Sequence, residues 1–404
     1  MSIPTMDNSY LSDRKEHPDG WRWAKLGEVC EVIGGSTPDT GNSAYWNGDI
    51  AWVTPTDLGK FSDVIIFSTS RQITASGLQN CGTQMLPIGT VIMSSRAPIG
   101  HLAIAGVPLC TNQGCKSFVP KKDVYSEFLY WALKRSVTDI QALGSGATFA
   151  EVSKSILQQF EITLPAIPEQ LRIAAILKEQ MVAVEKARTA AQERLRAIKA
   201  LPAAFLRKIF PDPGQPLPEG WRWAKLGQVV RLINGRAYHA SELLTEGKYP
   251  VLRVGNLFTS NHWYYSDFEL EPDKYCDKGD LIFAWSASFG PFIWTGPKVI
   301  YHYHIWKVDC GQSLDNEYAR HALDMITAKI KSESHGMAML HMTKEGMEQF
   351  EIPIPPLTEQ HRIAATIKDQ FAAVEQASVA AEAELKAINT LPAALLSRAF
   401  NGEL

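Results

Sequence analysis

Polar side chains able to read the edge of a base gather in short stretches in both halves of the chain. SSRAPIG closes an apolar run with Ser94, Ser95 and Arg96, and TNQGCK brings Asn112, Gln113 and Lys116 together. An amide can pair bidentately with adenine and a guanidinium with guanine, while a hydroxyl serves either a base or a phosphate. Ser36, Thr37, Thr54 and Arg71 belong to the same candidate set, as do Ser145 and Thr148 of GSGATF. The second half offers Asn234, Arg236 and Tyr238 of NGRAY, then Arg253 and Asn256. Trp285 and Ser286 of AWSASFG, with Tyr301, His302 and His304 of YHYHIW, complete it. Each is an ordinary loop residue by itself. Their recurrence on a repeated framework is what points to double-stranded DNA.

Catalytic motifs are missing. No GxxxxGK[ST] phosphate loop, HExxH or GxSxG occurs, and the GxG at Gly144–Gly146 does not continue as GxGxxG. Nor is there the Asn/Asp-Pro-Pro-aromatic motif with which amino-methyltransferases hold a target base. His302 and His304 would alternate on one strand face. An HxH without a third ligand is more often structural than metal-binding, so no metal is expected. The six cysteines form no CxxC pair and no ligand spacing with histidine, which reads as reduced, mostly buried thiols of a cytoplasmic protein. A formal net charge of −3 gives no global sign of nucleic-acid binding and leaves room for a local basic face. No apolar run approaches the roughly 18 residues that would span a membrane. Residues 1–17 lack an apolar signal core and read as a disordered tail.

The elements that would position these residues occur twice. PAIPEQLRIAAILKEQ begins at Pro165 and PPLTEQHRIAATIKDQ at Pro355, an offset of 190 kept without a gap to Phe210 and Phe400. Rich in Ala, Glu, Lys, Arg and Leu and free of Gly, both stretches read as long helices. A heptad seam runs through Leu177, Val184, Ala191, Ile198 and Phe205, answered by Ile367, Val374, Ala381, Ile388 and Leu395. A seven-residue repeat keeps one stripe facing a partner helix, so the two helices pair with each other. The basic bias of the first and the acidic lean of the second favour the pairing. Ala187, Ala191, Ala377 and Ala381 would let the backbones approach. Pro202 and Pro392 should kink or end the helices.

A second repeat opens each half: PDGWRWAKLGEV at Pro18 and PEGWRWAKLGQV at Pro218. Trp21, Trp23, Leu26 and their counterparts Trp221, Trp223 and Leu226 read as packing anchors. PDPGQPLPEG before the second copy is a proline-rich linker. Between opening and helix lie strand-like runs, IAWVT, DVIIF, GTVIMSS and HLAIAG, then YPVLRV, DLIFAWS, FIWTG and YHYHIWKV. Helical pieces follow near Glu127–Arg135 and Asn316–Lys329. At the helix offset Gly89 meets Gly279, Gly100 meets Gly290 and Gly146 meets Gly336, which implies shared tight turns. The polar residues around them differ. Arg96 falls at Ser286, Asn112 at His302, Gln113 at Tyr303 and Gly114 at His304; in the opening register, an offset of 200, Ser36 falls at Arg236, with Thr54 at Arg253 one residue off it.

With GWRWAKLG at 20–27 and 220–227, SSRAPIG, TNQG, two PxxxEQxRIAA helix starts and the terminal LPAALLSRAFNGEL, the chain resembles the specificity (S) subunits of type I restriction–modification systems over essentially its full length. The resemblance implies an α+β, pseudo-two-fold fold: two similar mixed α/β target-recognition domains separated by two long antiparallel helices in a coiled coil. The expected bounds are 18–164 and 218–354 for the domains, 165–210 and 355–404 for the helices with the C-terminal tail, and 211–217 for the linker. It further implies a non-catalytic DNA-recognition subunit that binds no cofactor directly, each domain reading one half of a bipartite, asymmetric target. Two methyltransferase subunits carrying S-adenosylmethionine and translocase–nuclease subunits using ATP and Mg²⁺ would be its partners. By the same resemblance Gln170, Arg172, Ile173, Gln360, Arg362 and Ile363 are assigned to partner contact. The alternatives are a coiled-coil scaffold that binds only proteins, an enzyme with an unrecognised site, and a specificity-like subunit of another phage-defence or modification system.

Overall fold

GWRWAKLG builds the same seam twice. Gly20 and Gly220 take φ values of 79° and 83°, a region glycine enters without steric cost. They turn the chain into the strands Arg22–Lys25 and Arg222–Lys225. Each strand pairs antiparallel with the strand leading into a long helix, Arg22 facing Leu164 and Arg222 facing Ile354. Lys25 Nζ donates to Gln159 Oε1 and Lys225 Nζ to Gln349 Oε1, both at 2.8 Å. The two ends of each globular domain are thereby tied together.

The computed structural model describes residues 17–61, 63–96, 98–144, 151–286, 288–333 and 343–404. Residues 1–16 of the tail expected at 1–17, with Ser145, Thr148, Gly146 and Gly336, lie outside them. The chain divides into two compact units, residues up to Ala191 with Glu384–Leu404, and Gln192–Ala383. Each unit therefore takes the start of one long helix and the end of the other.

In the first unit a five-stranded sheet runs in the order Cys30–Gly34, Cys115–Pro120, Val91–Ser94, Leu102–Ala105, Ile65–Ile66. A three-stranded sheet holds Gln72–Ile73, Trp46–Val53 and Leu109–Thr111, the last two parallel. The second unit has a four-stranded sheet ordered Arg231–Asn234, Ile305–Asp309, Leu281–Ser286, Ser288–Ile293. Its other sheet runs Tyr264–Ser266, Tyr249–Leu252, Val299–Tyr301, Tyr275–Cys276, and the central pair is again parallel. No tight hairpin can join parallel strands; in both units the intervening chain supplies strands of the other sheet. Gly89, Gly279 and Gly100 sit at turns that require positive φ (85°, 98° and 104°), whereas Gly290, expected at a turn shared with Gly100, lies inside the strand Ser288–Ile293 opposite Ala284.

In the first core, Val91, Met93 and Phe118 pack on Phe128 and Leu129 of the helix Ser126–Arg135 and on Leu177. Leu396, Ala399 and Phe400 close it. In the second, Leu281, Phe283 and Trp306 pack on Tyr318 and Leu323 of the helix Asn316–Glu333 and on Ile363 and Ile367. Leu206 and Phe210 close that one. The closing contacts correspond: Phe128 to Phe400 at 5.3 Å, Tyr318 to Phe210 at 5.2 Å between ring centroids. Such buried apolar area is the main stabilising term of each unit.

The long helices, Ile167–Ile209 and Leu357–Phe400, have 43 and 44 residues, about 65 Å each at 1.5 Å per residue. Leu177, Ala191, Ile367, Val374 and Ala381 of the seam are buried, and its other members are half-buried. Within each unit the helices run antiparallel. In the first, Arg172 reaches the Leu404 carbonyl while Arg188 shares a groove with Ile388 and Pro392. In the second, Lys199 pairs with Glu382 while Phe205 lies along Asp369 and Gln370.

Three expectations need correction. Ala187 is exposed and lies off the seam. Pro202 and Pro392 sit inside their helices and end neither of them. A missing N–H costs about 3 kcal/mol in an isolated helix, but the turns beyond are held by the buried Leu206, Phe210, Leu396 and Phe400. YHYHIWKV is not one strand: a turn at His302–His304, closed by Ile305 N–H donating to the His302 carbonyl at 2.9 Å, separates two. The histidines therefore do not share a strand face. All six cysteines are free thiols, five of them buried. Among the described residues no helix is long and apolar enough to cross a membrane.

Candidate nucleic-acid interface

Loops converge in each unit on one backbone frame. Ser36 N–H donates to the Thr111 carbonyl and Arg236 N–H to that of Tyr301, both at 3.0 Å. Asn112 N–H bonds the Val53 carbonyl and His302 N–H that of Leu252, both at 2.9 Å. Ser95 N–H meets the Gly114 carbonyl at 2.8 Å, and Trp285 N–H that of His304 at 3.1 Å. A Cβ on Gly35 would run into the backbone of Thr111 and Asn112, and one on Gly235 into that of Tyr301 and His302. Only glycine lets these loops touch. Thr54 and Arg253 both stand at the N-cap of a short helix, their backbone N–H groups bonded to Asp57 and Asn256. Asn112 and His302, Gly114 and His304, Ser36 and Arg236, and Thr54 and Arg253 thus hold matching positions in the two backbone frames.

The first frame carries amides and cations. Arg96 is about one-third exposed, with Glu151 Oε2 4.0 Å from its guanidinium. Asn112 Oδ1 accepts from Gly114 N–H at 2.8 Å, which tightens the turn that presents the exposed Gln113. Thr37 donates to the Gln113 carboxamide. Arg71 stacks on Trp46, its guanidinium carbon 3.6 Å from the ring centroid, a cation–π contact on an exposed side chain. Burial pulls the Asp57 carboxyl up, but hydrogen bonds from Ser70 and Thr54 outweigh it and hold the group below its usual range.

Four first-unit candidates are instead structural. Ser94 and Ser95 are fully buried. Ser94 Oγ donates to the Pro98 carbonyl at 2.7 Å and accepts from His101 N–H, while Ser95 Oγ donates to the Gly114 carbonyl. Lys116 is buried with its ammonium on Glu151, and the Thr54 hydroxyl caps its helix through Asp57.

The second frame carries rings. His302 lies between Tyr238, stacked at 6.3 Å, and His304, 4.9 Å away. Burial, then the neighbouring His304 and Arg253, holds its pKa down at about 4. Trp285 donates its indole N–H to the Tyr303 carbonyl at 2.9 Å and sets its ring 5.0 Å from His304. Burial pushes the Tyr238 phenol up to about 12, and its hydroxyl makes no hydrogen bond. Arg253 lies 5.2 Å over the Tyr264 ring. Asn234 ends its strand exposed, and Ser286 is half-exposed at the hairpin.

Here too some candidates are withdrawn. Tyr301 is fully buried, its hydroxyl donating to the Asp273 carbonyl at 2.8 Å. Asn256 is spent on its cap and on the His262 carbonyl. Arg236 forks onto both oxygens of Glu242 at 3.0 and 2.8 Å, over Phe268, and Glu242 is drawn down to about 2, chiefly by that bond. Among the described residues no cluster of three or more His, Cys, Asp or Glu side chains could hold a metal ion.

Sequence reasoning missed Glu151, Tyr303 and Phe268. Tyr303 stood in the YHYH run and is exposed at the turn. Glu151 and Phe268 are brought in by chain folding, with no local signal.

Of the residues assigned to partners, four face inward. Gln170 Oε1 accepts from Tyr125 N–H at 2.8 Å, and its amide donates to the carbonyls of Asp123 and Pro165. Gln360 repeats this with Asp315, Ser313 and Pro355. Ile173 and Ile363 belong to the cores. Arg172 and Arg362 are on the surface, each forked onto the glutamate three residues before it.

Residues 18–191 and 218–385 both match the family model described as the type I restriction modification DNA specificity domain. Over 416 residues the chain is 27% identical to the type I restriction enzyme MjaIX specificity subunit of Methanocaldococcus jannaschii, spanning 96% of this chain and 94% of that one. Over 162 residues it is 29% identical to the EcoR124I/EcoR124II specificity subunit of Escherichia coli, 38% of this chain and 39% of the other. The HsdS subunit from Thermoanaerobacter tengcongensis has a similar fold, with a TM-score of 0.70 at 22% identity over 97% of this chain and 99% of that one. So has a chain from a structural study of complex assembly and conformational transition in a type I R-M system, at 0.77 and 23%, covering 97% and 100%.

Proposed function

From the premise that the chain belongs to the type I restriction–modification DNA specificity family, we propose that its two globular domains read different halves of one split, asymmetric target in double-stranded DNA. One observation carries this: the same backbone hydrogen bonds occur in both units beneath different side chains. Two equal surfaces would suit a symmetric site; an amide–guanidinium surface and an aromatic–imidazole surface suit an asymmetric one. Arg96, Asn112, Gln113, Thr37 and Arg71 meet one half-site, and Trp285, His302, Tyr303, His304 and Arg253 the other. Methylation and cleavage belong to partner subunits, which bring S-adenosylmethionine, ATP and Mg²⁺; this chain supplies no catalytic group. Two methyltransferase subunits dock on the long helices, whose outer faces leave Leu171, Val182 and Val379 exposed. Helix length sets the gap between half-sites.

Selection of duplexes by the complex with methyltransferase, from a library randomised in sequence and spacer, tests this. Asn112→Ala should relax one half-site and His302→Ala the other, each by about 1–3 kcal/mol. Removing Ala183–Thr189 with Ala373–Val379 keeps the seam in phase. It shortens each helix by about 10 Å, or about three base pairs at roughly 3.4 Å each. The spacer should shrink while the half-sites persist. Recovery of the original gap at full affinity would remove the ruler role, and a complex that selects no sequence would favour a protein-only scaffold.

A further inference from the structure

Two arginines sit on the recognition surfaces beside a carboxylate, and the carboxylates use them differently. Glu242 takes the whole fork of Arg236, with both oxygens hydrogen-bonded. Glu151 stands 4.0 Å from Arg96, close enough to attract the guanidinium and too far to occupy its donors. The other Glu151 oxygen is fixed by Lys116 at 3.2 Å. That ammonium is nearly buried and also donates to Ser95 Oγ at 3.1 Å. A buried ammonium requires such partners. Backbone geometry holds the glutamate as well: Arg96 and Glu151 form an antiparallel bridge, and Val152 N–H donates to the Ser95 carbonyl at 3.0 Å. A Cβ on Gly114 would stand 3.1 Å from Arg96 Nε and 3.2 Å from Asn112 Oδ1, so the guanidinium crosses the turn beside that amide.

We propose that Glu151 is a positioning residue for base reading: anchored by Lys116, it holds the Arg96 fork open for bidentate contact with a guanine in the half-site read by the first unit. This rests on the reading that the first unit reads bases. Guanine is the base whose two acceptors, O6 and N7, match an arginine fork. A mobile arginine would lose rotamer entropy on binding that a held one has already given up.

Half-site selection by the complex with its methyltransferase partner is the test. Arg96→Lys keeps the charge and loses the fork, and should cut the preference for guanine at one position about tenfold. Glu151→Gln should cut it about tenfold at the same position, leaving the second half-site unchanged. That variant also leaves the Lys116 charge without its counter-charge. The double variant Glu151→Gln, Lys116→Met removes this liability, so thermal stability should return while the guanine preference does not. The inference is overturned if Glu151→Gln keeps the preference or weakens all sequences equally. It is also overturned if the double variant recovers preference together with stability, or if the first half-site holds no guanine. A complex of unaltered subunits that selects no split target would instead overturn the reading of function beneath it.

Discussion

Asn112 and His302 occupy the same point of the two frames, each donating its backbone N–H to the last residue of a strand at 2.9 Å. One side chain is an amide that tightens its own turn. The other is an imidazole packed among rings and kept neutral. Nearly all frame contacts run through backbone atoms, which every residue type possesses, so the loop side chains could diverge without cost to the fold. Some side chains of the frame do agree, with Lys25 and Lys225, Gln159 and Gln349, Gln170 and Gln360 making the same bonds, while the short-helix cap is closed by Asp57 in one unit and Asn256 in the other.

The largest expected effect tests that agreement. Gln170→Ala and Gln360→Ala should each destabilise their own unit by about 3 kcal/mol, since three hydrogen bonds are lost and buried backbone groups remain unpaired. Urea unfolding with peptide-resolved hydrogen exchange would locate the loss in one unit at a time. Variants of full stability that fail only to bind methyltransferase would return these glutamines to partner contact.

That misassignment shows what the sequence could and could not carry. Residues repeated at a fixed offset announce a constraint, and the duplicated helices, openings and glycines were legible for that reason. Repetition does not say whether the constraint comes from a partner or from the chain's own core. The EQxRIAA pattern is an internal lock: Gln170 reaches back to Asp123 and Tyr125. YHYHIWKV looked like one strand because β-prone aromatics fill it and no Gly, Pro or Asn marks the turn. Ser94 and Ser95 looked like contacts because a hydroxyl reads as surface until its acceptors, here the Pro98 and Gly114 carbonyls, are known. Glu151 was invisible because its partners Arg96 and Lys116 are remote in the sequence.

A second, smaller effect should separate the units by pH. His302 is held from its usual 6.5 down to about 4. Between those values the unfolded chain binds a proton that the folded unit refuses, so stability is full above about pH 6.5 and falls as pH drops toward 4. His321, held down to about 3 by burial, acts in the same direction. Its neighbour Asp324, raised by burial to about 6, acts oppositely below that pH and offsets it. In the first unit Asp57 is held low, so its contribution is lost only on acidification past the ordinary carboxylate range. Hydrogen exchange at pH 7 and 5 should therefore show the second unit weakening, and His302→Gln should flatten the change. The difference is on the order of 1 kcal/mol once solvent screening of this half-buried ring is allowed for. Equal weakening of both units, unaltered by the substitution, would place the titration elsewhere.

The smallest effect concerns the helices. In the second unit Lys199 and Glu382 form an ion pair at 2.7 Å; at the matching repeat positions the chain carries Asn389 and Gln192, which are neutral. The basic bias of the first helix and the acidic lean of the second favour their pairing, so this pair is where electrostatics would show. Both side chains are more than half exposed, 57% and 52%. Coulomb attraction in water barely exceeds the entropy lost by holding two long side chains together, leaving exposed pairs about 0–1 kcal/mol. The seam beside it buries Val374 and Ala381, and burying one aliphatic side chain contributes about 1.5–3 kcal/mol. The seam should win. Lys199→Asn with Glu382→Gln, which places here the neutral residue types found at the repeat positions, should change stability by less than about 0.5 kcal/mol, with little salt dependence. Val374→Ala should cost more than the double change, by about 1 kcal/mol or above. If neutralising the ion pair cost as much as cutting the seam, the long helices of the second unit would be held by charge, and the two units would differ in their frame as well as in their contact surfaces.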